Sequence, residues 1–299
     1  MTTEPRPIRT RAHAKINLDL RIAGRRPDGF HEIETLMQTI GLHDELVIRR
    51  TDTPGVKLEC VGLPGTPDGP DNLVYRAAES LLSLAAVSSG LQIRLIKRIP
   101  MGAGLGGGSS DCAAVILSLN ALLRLRLPLH ELEQIAARLG SDVPFFLHNG
   151  LAVALGRGER ILRMTGRRRT RVVLATPAVH VATADAYRWY AETKKHRTRP
   201  AARRRSDQYV KTMTTSYRRG SWSGLRNDLE AVVFERYPSL ARIKALMKQN
   251  GAAMAQMTGS GSAVFGIFQE EEAVRAAQKA LSRNGVPSLR THLLPRRAS

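Results

Sequence analysis

The chain has 299 residues, 42% of them apolar, enough for one large domain or two of ordinary size. Its 46 Lys+Arg exceed its 26 Asp+Glu by 20 charges, which draws attention to polyanions and phosphorylated metabolites as ligands. Two cysteines are too few for a disulfide framework, no apolar run reaches the ~20 residues that span a bilayer, and no apolar segment follows the N-terminal charges. A soluble, cytoplasmic protein with no membrane partner is the expectation.

From Arg11 to Ile22 the sequence alternates, with Ala12, Ala14, Ile16, Leu18, Leu20 and Ile22 on one side. His13, Lys15, Asn17, Asp19 and Arg21 take the other, so a strand with one buried face is predicted. Lys15 and Asn17 then point the same way, as a solvated pair or towards a site. Gly24 to Gly29 reads as a turn, followed by Phe30-His31-Glu32. Strands are expected at 46–49 and 56–61, a Pro/Gly-rich loop at 62–70, and a helix from about Asn72 to Val87 with Asp71 as its N-cap.

A strand over 91–97 feeds the segment Pro100, Met101, Gly102, Ala103, Gly104, Leu105, Gly106, Gly107, Gly108, Ser109 and Ser110. Glycine loses the most entropy on folding and buries no side chain, so five in seven positions serve some purpose other than packing. The apolar run that follows, to about Leu123, predicts a helix, and a glycine turn opening into a helix N-terminus suits a phosphate group. No lysine follows the glycines, which excludes a Walker A loop. Gly102-x-Gly104-x-x-Gly107 fits the dinucleotide pattern, but the region where a second strand should end in an acid, Leu127-Pro-Leu-His-Glu-Leu-Glu133, reads as a helix start. A flexible glycine linker would be polar on both sides and would not run from a strand into an apolar helix, so a phosphate cradle of another kind is the expectation.

A helix at 129–139 precedes Gly140-Ser-Asp-Val-Pro-Phe-Phe146, where Ser141 or Asp142 can cap a short helix with Pro144 in its first turn. Capping and catalysis are both open to Asp142. Strands follow at 151–155 and 172–175. Arg167–Arg169 and the stretch from Lys194 to Arg205 hold much of the basic charge. The segment from Lys194 to about Gly220 reads as a long, partly disordered basic loop or insertion. Helices are expected at 225–234 and 239–250, strands at 253–257 and 263–268 joined by Thr258-Gly-Ser-Gly-Ser262, then a helix at 270–284 and a strand at 288–293. Such a segment is an α+β unit, and Gly259-Ser-Gly261 fits a plain hairpin turn.

Three separated stretches together resemble one family, the kinases named for galactose, homoserine, mevalonate and phosphomevalonate. Pro100 to Ser110 resembles their ATP-phosphate loop, Ala14-Lys-Ile-Asn-Leu-Asp-Leu20 their first motif, and Met257-Thr-Gly-Ser-Gly-Ser-Ala-Val-Phe265 their third. The tripled glycine, Pro27-Asp-Gly-Phe-His-Glu32, Gly140 to Phe146 and Leu225-Arg-Asn-Asp-Leu-Glu230 are most similar to the branch that acts in non-mevalonate isoprenoid synthesis.

The resemblance implies a two-domain α+β small-molecule kinase fold, with a ribosomal-S5-like N-terminal domain (1–165) and a ferredoxin-like C-terminal domain (166–299, with the basic insertion near 194–220). The active site is implied to lie between them. It implies ATP as phosphoryl donor, with Mg2+, and a cytidine diphosphate sugar-alcohol as acceptor, in a monomer or homodimer that binds no nucleic acid. Asp142 would take the hydroxyl proton, and Lys15, beside Asn17, would stabilise the transferred phosphoryl. Phe30, His31 and Tyr187, the last following Pro177-x-x-x-x-x-Thr183, would hold the cytosine. Asn72 resembles a contact to adenine and equally a first-turn helix residue, and Ser109 or Ser110 would help hold the metal. Two other readings stay open. A relative acting on mevalonate-type or homoserine substrates would have no use for the aromatics at 30 and 187. An RNA-binding protein, suggested by the charge, would not need the glycine cradle.

Overall fold

A computed structural model describes residues 6–85, 89–166, 170–193 and 203–295. The chain forms two compact units that interleave in sequence. The first takes the described residues up to Ala14, Leu42–Pro100 and Gly106–His148; the second takes Lys15–Gly41, Met101–Leu105 and the chain from Asn149 onward. Two long strands, β1 (Ile8–Arg25) and β2 (His31–Thr51), contribute to both.

In the first unit β3 (Val56–Val61) runs parallel to β4 (Gly90–Ile96), and α1 (Leu73–Ala85) supplies the crossover that a parallel pair needs. The far half of β2 pairs antiparallel with β4, Glu45 opposite Ile96 through Thr51 opposite Gly90. Leu91, Ile93 and Leu95 of β4 face inward while Gln92 and Arg94 are exposed, the alternation of a half-buried strand. The helix α2 (Gly107–Leu122) is apolar almost all round, with Cys112, Ala113, Val115, Ile116 and Leu119 buried, and sits in the centre. The helices α3 (Leu129–Leu139) and α4 (Val143–His148) complete the unit.

In the second unit the near half of β2 pairs with β5 (Leu151–Gly156), which pairs with β6 (Arg160–Met164). A separate antiparallel sheet has the order β10-β7-β9-β8, built from β7 (Arg171–Ala175), β8 (Met254–Met257), β9 (Val264–Phe268) and β10 (Ser288–His292). Helices α7 (Glu230–Arg236), α8 (Pro238–Gln249) and α9 (Glu271–Arg283) pack on it through Val233, Leu240, Ile243, Met247, Val274, Ala277 and Leu281. The helix α5 (Thr183–Thr193) joins the same core through Ala186.

Several expectations need correction. The polar face of β1 is not solvated: Lys15, Asn17 and Asp19 are 3%, 3% and 0% exposed. β2 extends fifteen residues N-terminal of the expected 46–49, because Ile33 to Ile40 is buried on both faces and shows no alternation to read. The first turn of α1 is capped by Asn72, not Asp71, since Asn72 Oδ1 accepts the Val74 N–H at 2.9 Å. The expected helix at 225–234 begins only at Glu230, because Asn227 turns its side chain onto neighbouring backbone. β6 and α5 had no counterpart in the sequence reading.

The basic segment expected to be a loop is, from Arg203 to Arg219, the helix α6. Tyr209, Met213 and Tyr217 recur every four residues and are 5%, 1% and 7% exposed, an apolar stripe hidden among charges. The Tyr209 hydroxyl donates to Asp19 at 2.9 Å, and that of Tyr217 to Gln38 at 3.3 Å. Lys194 to Ala202, Arg167–Arg169 and the tail of the α1 expectation (residues 86–88) lie outside the described residues. Among the described residues no helix is long and apolar enough to cross a membrane.

Candidate active site

Gly102, Gly104 and Gly106 have φ of +65°, +77° and +69°, which residues with a Cβ rarely adopt, and between them the chain turns from Ile99 into α2. Gly106 stands at the N-cap of α2 and offers no side chain, and the Ser110 N–H already reaches Gly106 O at 2.9 Å. The N–H groups of Gly107, Gly108 and Ser109 therefore form an uncapped, positively polarised helix end. A Cβ at Gly108 would meet nothing within 4 Å, so the helix end opens onto free space. The donor set fits a phosphate group.

Beneath that helix end, in the first unit, Lys97 is 4% exposed and donates to Asp44 at 2.5 Å and to Asp111 at 2.8 Å. Asp44 also accepts the N–H groups of Arg98 and Ile99, at 2.5 and 2.8 Å. Asp111 accepts from Lys97 through Oδ2 and lies beside Asp44, while its Oδ1 is buried without a hydrogen-bond partner among the described residues. Burial accordingly pushes the Asp111 carboxyl up to about 8, against the pull of Lys97. A Cβ at Gly107 would come within 3.1 Å of Lys97 Nζ and 3.0 Å of Ile99. The cluster therefore braces the floor of the first turn.

In the second unit the three separated motifs meet. Lys15 Nζ donates to Asn17 Oδ1 at 2.7 Å and to Gly104 O at 2.8 Å. The Thr258 hydroxyl takes the Asn17 N–H at 3.0 Å and lies 3.3 Å from Gly104 O. Asn17 Nδ2 continues to Thr35, whose hydroxyl donates to Asp19 O at 2.6 Å. Asn227 Nδ2 binds Met257 O and Gly259 O at 2.9 and 2.8 Å, which fixes the β8–β9 turn. Lys15 N–H to Leu105 O and Ala263 N–H to Ala103 O add backbone ties. Gly259-Ser-Gly261 is thus more than a hairpin turn.

The other residues singled out from sequence are placed as follows. Pro100 leads into the loop, and Met101 is exposed on it. Asp142 is half-buried at the entry to α4, with Pro144 in that helix as expected. Asn72 commits its whole amide: besides capping α1 it donates to Pro67 O at 2.7 Å and faces Cys60 Sγ at 3.7 Å. The Ser110 hydroxyl donates to His13 O at 2.7 Å, whereas Ser109 has no hydroxyl partner among the described residues.

His31 and Tyr187 stack, ring centres 5.1 Å apart and planes 28° from parallel. Burial, helped by Arg25, holds the His31 imidazole below its usual range, so at neutral pH it offers one donor and one acceptor. Phe30 is 53% exposed and carries the Arg157 guanidinium on one face instead of Tyr187. Thr183 at the start of α5 shares a hydrogen bond of 2.9 Å with Ser260. Among the described residues no group of three His, Cys, Asp or Glu could hold a metal ion. Sequence reasoning passed over Lys97, Asp44 and Asp111; the only sign was one lysine closing an apolar strand.

Two family models match the chain: the GHMP kinases N terminal domain over residues 72–150, which holds the glycine cradle, and the GHMP kinases C terminal over residues 213–287. The chain belongs to the GHMP kinase family, and with it to the small-molecule phosphotransferases. Within the family it is similar to the 4-diphosphocytidyl-2-C-methyl-D-erythritol kinase of Solibacter usitatus, 42% identical over 91% of this chain and 84% of that one. A solved 4-(cytidine 5′-diphospho)-2C-methyl-D-erythritol kinase superposes with a TM-score of 0.79 at 35% identity, covering 96% of this chain and 99% of the other. The L. major mevalonate kinase shares the fold at 17% identity, TM-score 0.74, over the full length of both chains.

Proposed function

We propose that the protein transfers the γ-phosphoryl group of ATP to the 2-hydroxyl of 4-diphosphocytidyl-2-C-methyl-D-erythritol, in the non-mevalonate route to isoprenoid precursors. The observation that carries this is the joining of Lys15, Gly104 and Thr258, one residue from each kinase motif, in one hydrogen-bonded knot. The identity to relatives of that activity supports the substrate.

In this reading the N–H groups of Gly107, Gly108 and Ser109 hold the ATP phosphates. The acceptor hydroxyl gives its proton to Asp142 as its oxygen bonds to the γ-phosphorus, the bond to the bridging oxygen breaks, and ADP leaves. Lys15, buried and oriented by Asn17 and Gly104 O, supplies positive charge where the equatorial oxygens gather negative charge. Phosphoryl transfer demands mainly such positioning and charge. Mg2+, when bound, would neutralise phosphate charge, and the Ser109 hydroxyl is the side chain that fits it. A cation held mainly by substrate phosphates needs few protein ligands. Phe30, His31 and Tyr187 form the cytosine side, with Thr183 beside them, and Asn72 shapes the adenine side through the loop it ties. A functional boundary near residue 165, a cytoplasmic location and a monomer or homodimer belong to the same proposal.

The test is ATP consumption with Mg2+ in the presence of the cytidyl substrate, mevalonate or homoserine, with Asp142→Asn beside the wild type. Turnover with the cytidyl substrate alone, reduced about 10²–10⁴-fold in the variant, is expected. Turnover with another acceptor instead would replace the substrate and keep the family.

A further inference from the structure

Phe30 stands at the tip of the β1–β2 hairpin. The Arg26 N–H donates to Phe30 O at 2.7 Å, and the Phe30 N–H reaches Asp28 Oδ1 at 3.2 Å, so the backbone is fixed while the ring is 53% exposed. A half-exposed ring on a hairpin tip has rotamers to choose from, and each wrong one subtracts from stacking affinity. A cation–π contact restricts it. The guanidinium carbon of Arg157 lies 4.9 Å from the Phe30 ring centre.

Arg157 is itself held by the β5–β6 turn. Its N–H donates to Glu159 Oε2 at 2.6 Å, and Gly156, at φ +78°, lets the chain bend there. Its guanidinium has no ion-pair partner among the described residues, and its Nε is buried with no hydrogen bond. The ring of Phe30 is thus the contact in which this part-buried guanidinium engages. The neighbouring acid Asp28 feels the charge without pairing with it, and its carboxyl is lowered in part by Arg157.

We infer that Arg157 is a positioning residue for nucleotide recognition: it covers one face of Phe30 and so presents the other face, in one orientation, to the pyrimidine of the substrate. This rests on the cytidine reading above. Arg157 acts through the ring, not by touching the reacting atoms, which separates it from Lys15 and Asp142.

The experiment is calorimetric binding of cytidine 5′-diphosphate to the wild type, Arg157→Met, Arg157→Lys, Phe30→Leu and the Phe30→Leu/Arg157→Met double variant, with steady-state kinetics alongside. Arg157→Met is expected to weaken binding about three- to fivefold, the value of a cation–π contact at an exposed site. It should raise KM for the cytidyl substrate alike, with kcat, KM for ATP and Tm unchanged, and Arg157→Lys should recover part of the loss. In the Phe30→Leu background the Arg157 change should cost nothing further, because its effect runs through the ring. Additive losses, or wild-type affinity in Arg157→Met, would overturn the inference and leave the cytidine reading standing. A wild type that does not bind the cytidine nucleotide would overturn both.

Discussion

A methyl group added at Gly104 would meet the carbonyl oxygen of Thr258 at 2.2 Å, whereas one added at Gly108 would meet nothing within 4 Å. Gly104 lies in the second unit, where its own carbonyl accepts from Lys15 Nζ and its Cα hydrogens fill the room a side chain would need. Gly108 lies in the first turn of α2, in the first unit, beside uncapped N–H groups. In one place glycine is required by the protein's own packing; in the other no neighbour demands it, and the proposed function assigns the open space to a phosphate group. The two cases can be separated by experiment, since the first acts on the folded state and the second on binding.

The largest effect is expected from Lys97→Met. It would leave Asp44 and Asp111 buried beside each other without their cation, and a loss of about 3–5 kcal/mol in denaturant unfolding should follow. The brace under the open half of the loop would be gone. Gly104→Ala strikes the packed half: an alanine at φ +77° against backbone should cost about 3 kcal/mol and pull Gly104 O away from Lys15, lowering kcat as well as Tm.

Asp111→Asn sharpens the comparison through pH. The folded Asp111 carboxyl sits at about 8, above its unfolded value of 3.8, so the native state holds a proton that the unfolded chain releases. The wild type therefore loses stability as pH rises from about 4 towards 8, and this loss persists above that range. The variant carries no titratable proton at this position and should show a flatter profile, losing less stability between about pH 4 and 8 than the wild type. A profile as steep as the wild type's would count against this account of the cluster. Tyr209→Phe is the smallest change. It removes one of three donors to Asp19 and should cost about 1 kcal/mol, with ATP binding untouched.

How much of this could be read in the sequence depends on whether a signal was local. The glycine turn into a helix N-terminus was legible because five glycines before an apolar run admit few explanations, and β1 was legible from its alternation. That its polar face is buried was not, because α6 and the β8–β9 turn that supply partners for Asp19 and Asn17 lie roughly 190 and 240 residues away in the chain. The helix α6 was obscured by its charge: Tyr209, Met213 and Tyr217 carry the period, but arginines and lysines dominate the average. The near half of β2 gave no pattern since both its faces are covered. For the site, Lys15, Asn17 and Gly104 were singled out by resemblance, whereas the Lys97 cluster and the Arg157–Phe30 contact required coordinates. No sequence distinguishes Gly104 from Gly108, because the same letter stands in two different physical settings.

That distinction is tested most directly by thermal unfolding of Gly108→Ala with and without ATP and Mg2+. Ligand at about 100 times its Kd stabilises a folded protein by about 2.7 kcal/mol. Without ATP the variant should be as stable as the wild type or more so, by up to about 1 kcal/mol, and it should lose most of the ATP-dependent rise. A variant that keeps the full rise would show that phosphate does not occupy the space at Gly108, and the open half of the loop would not be the cradle.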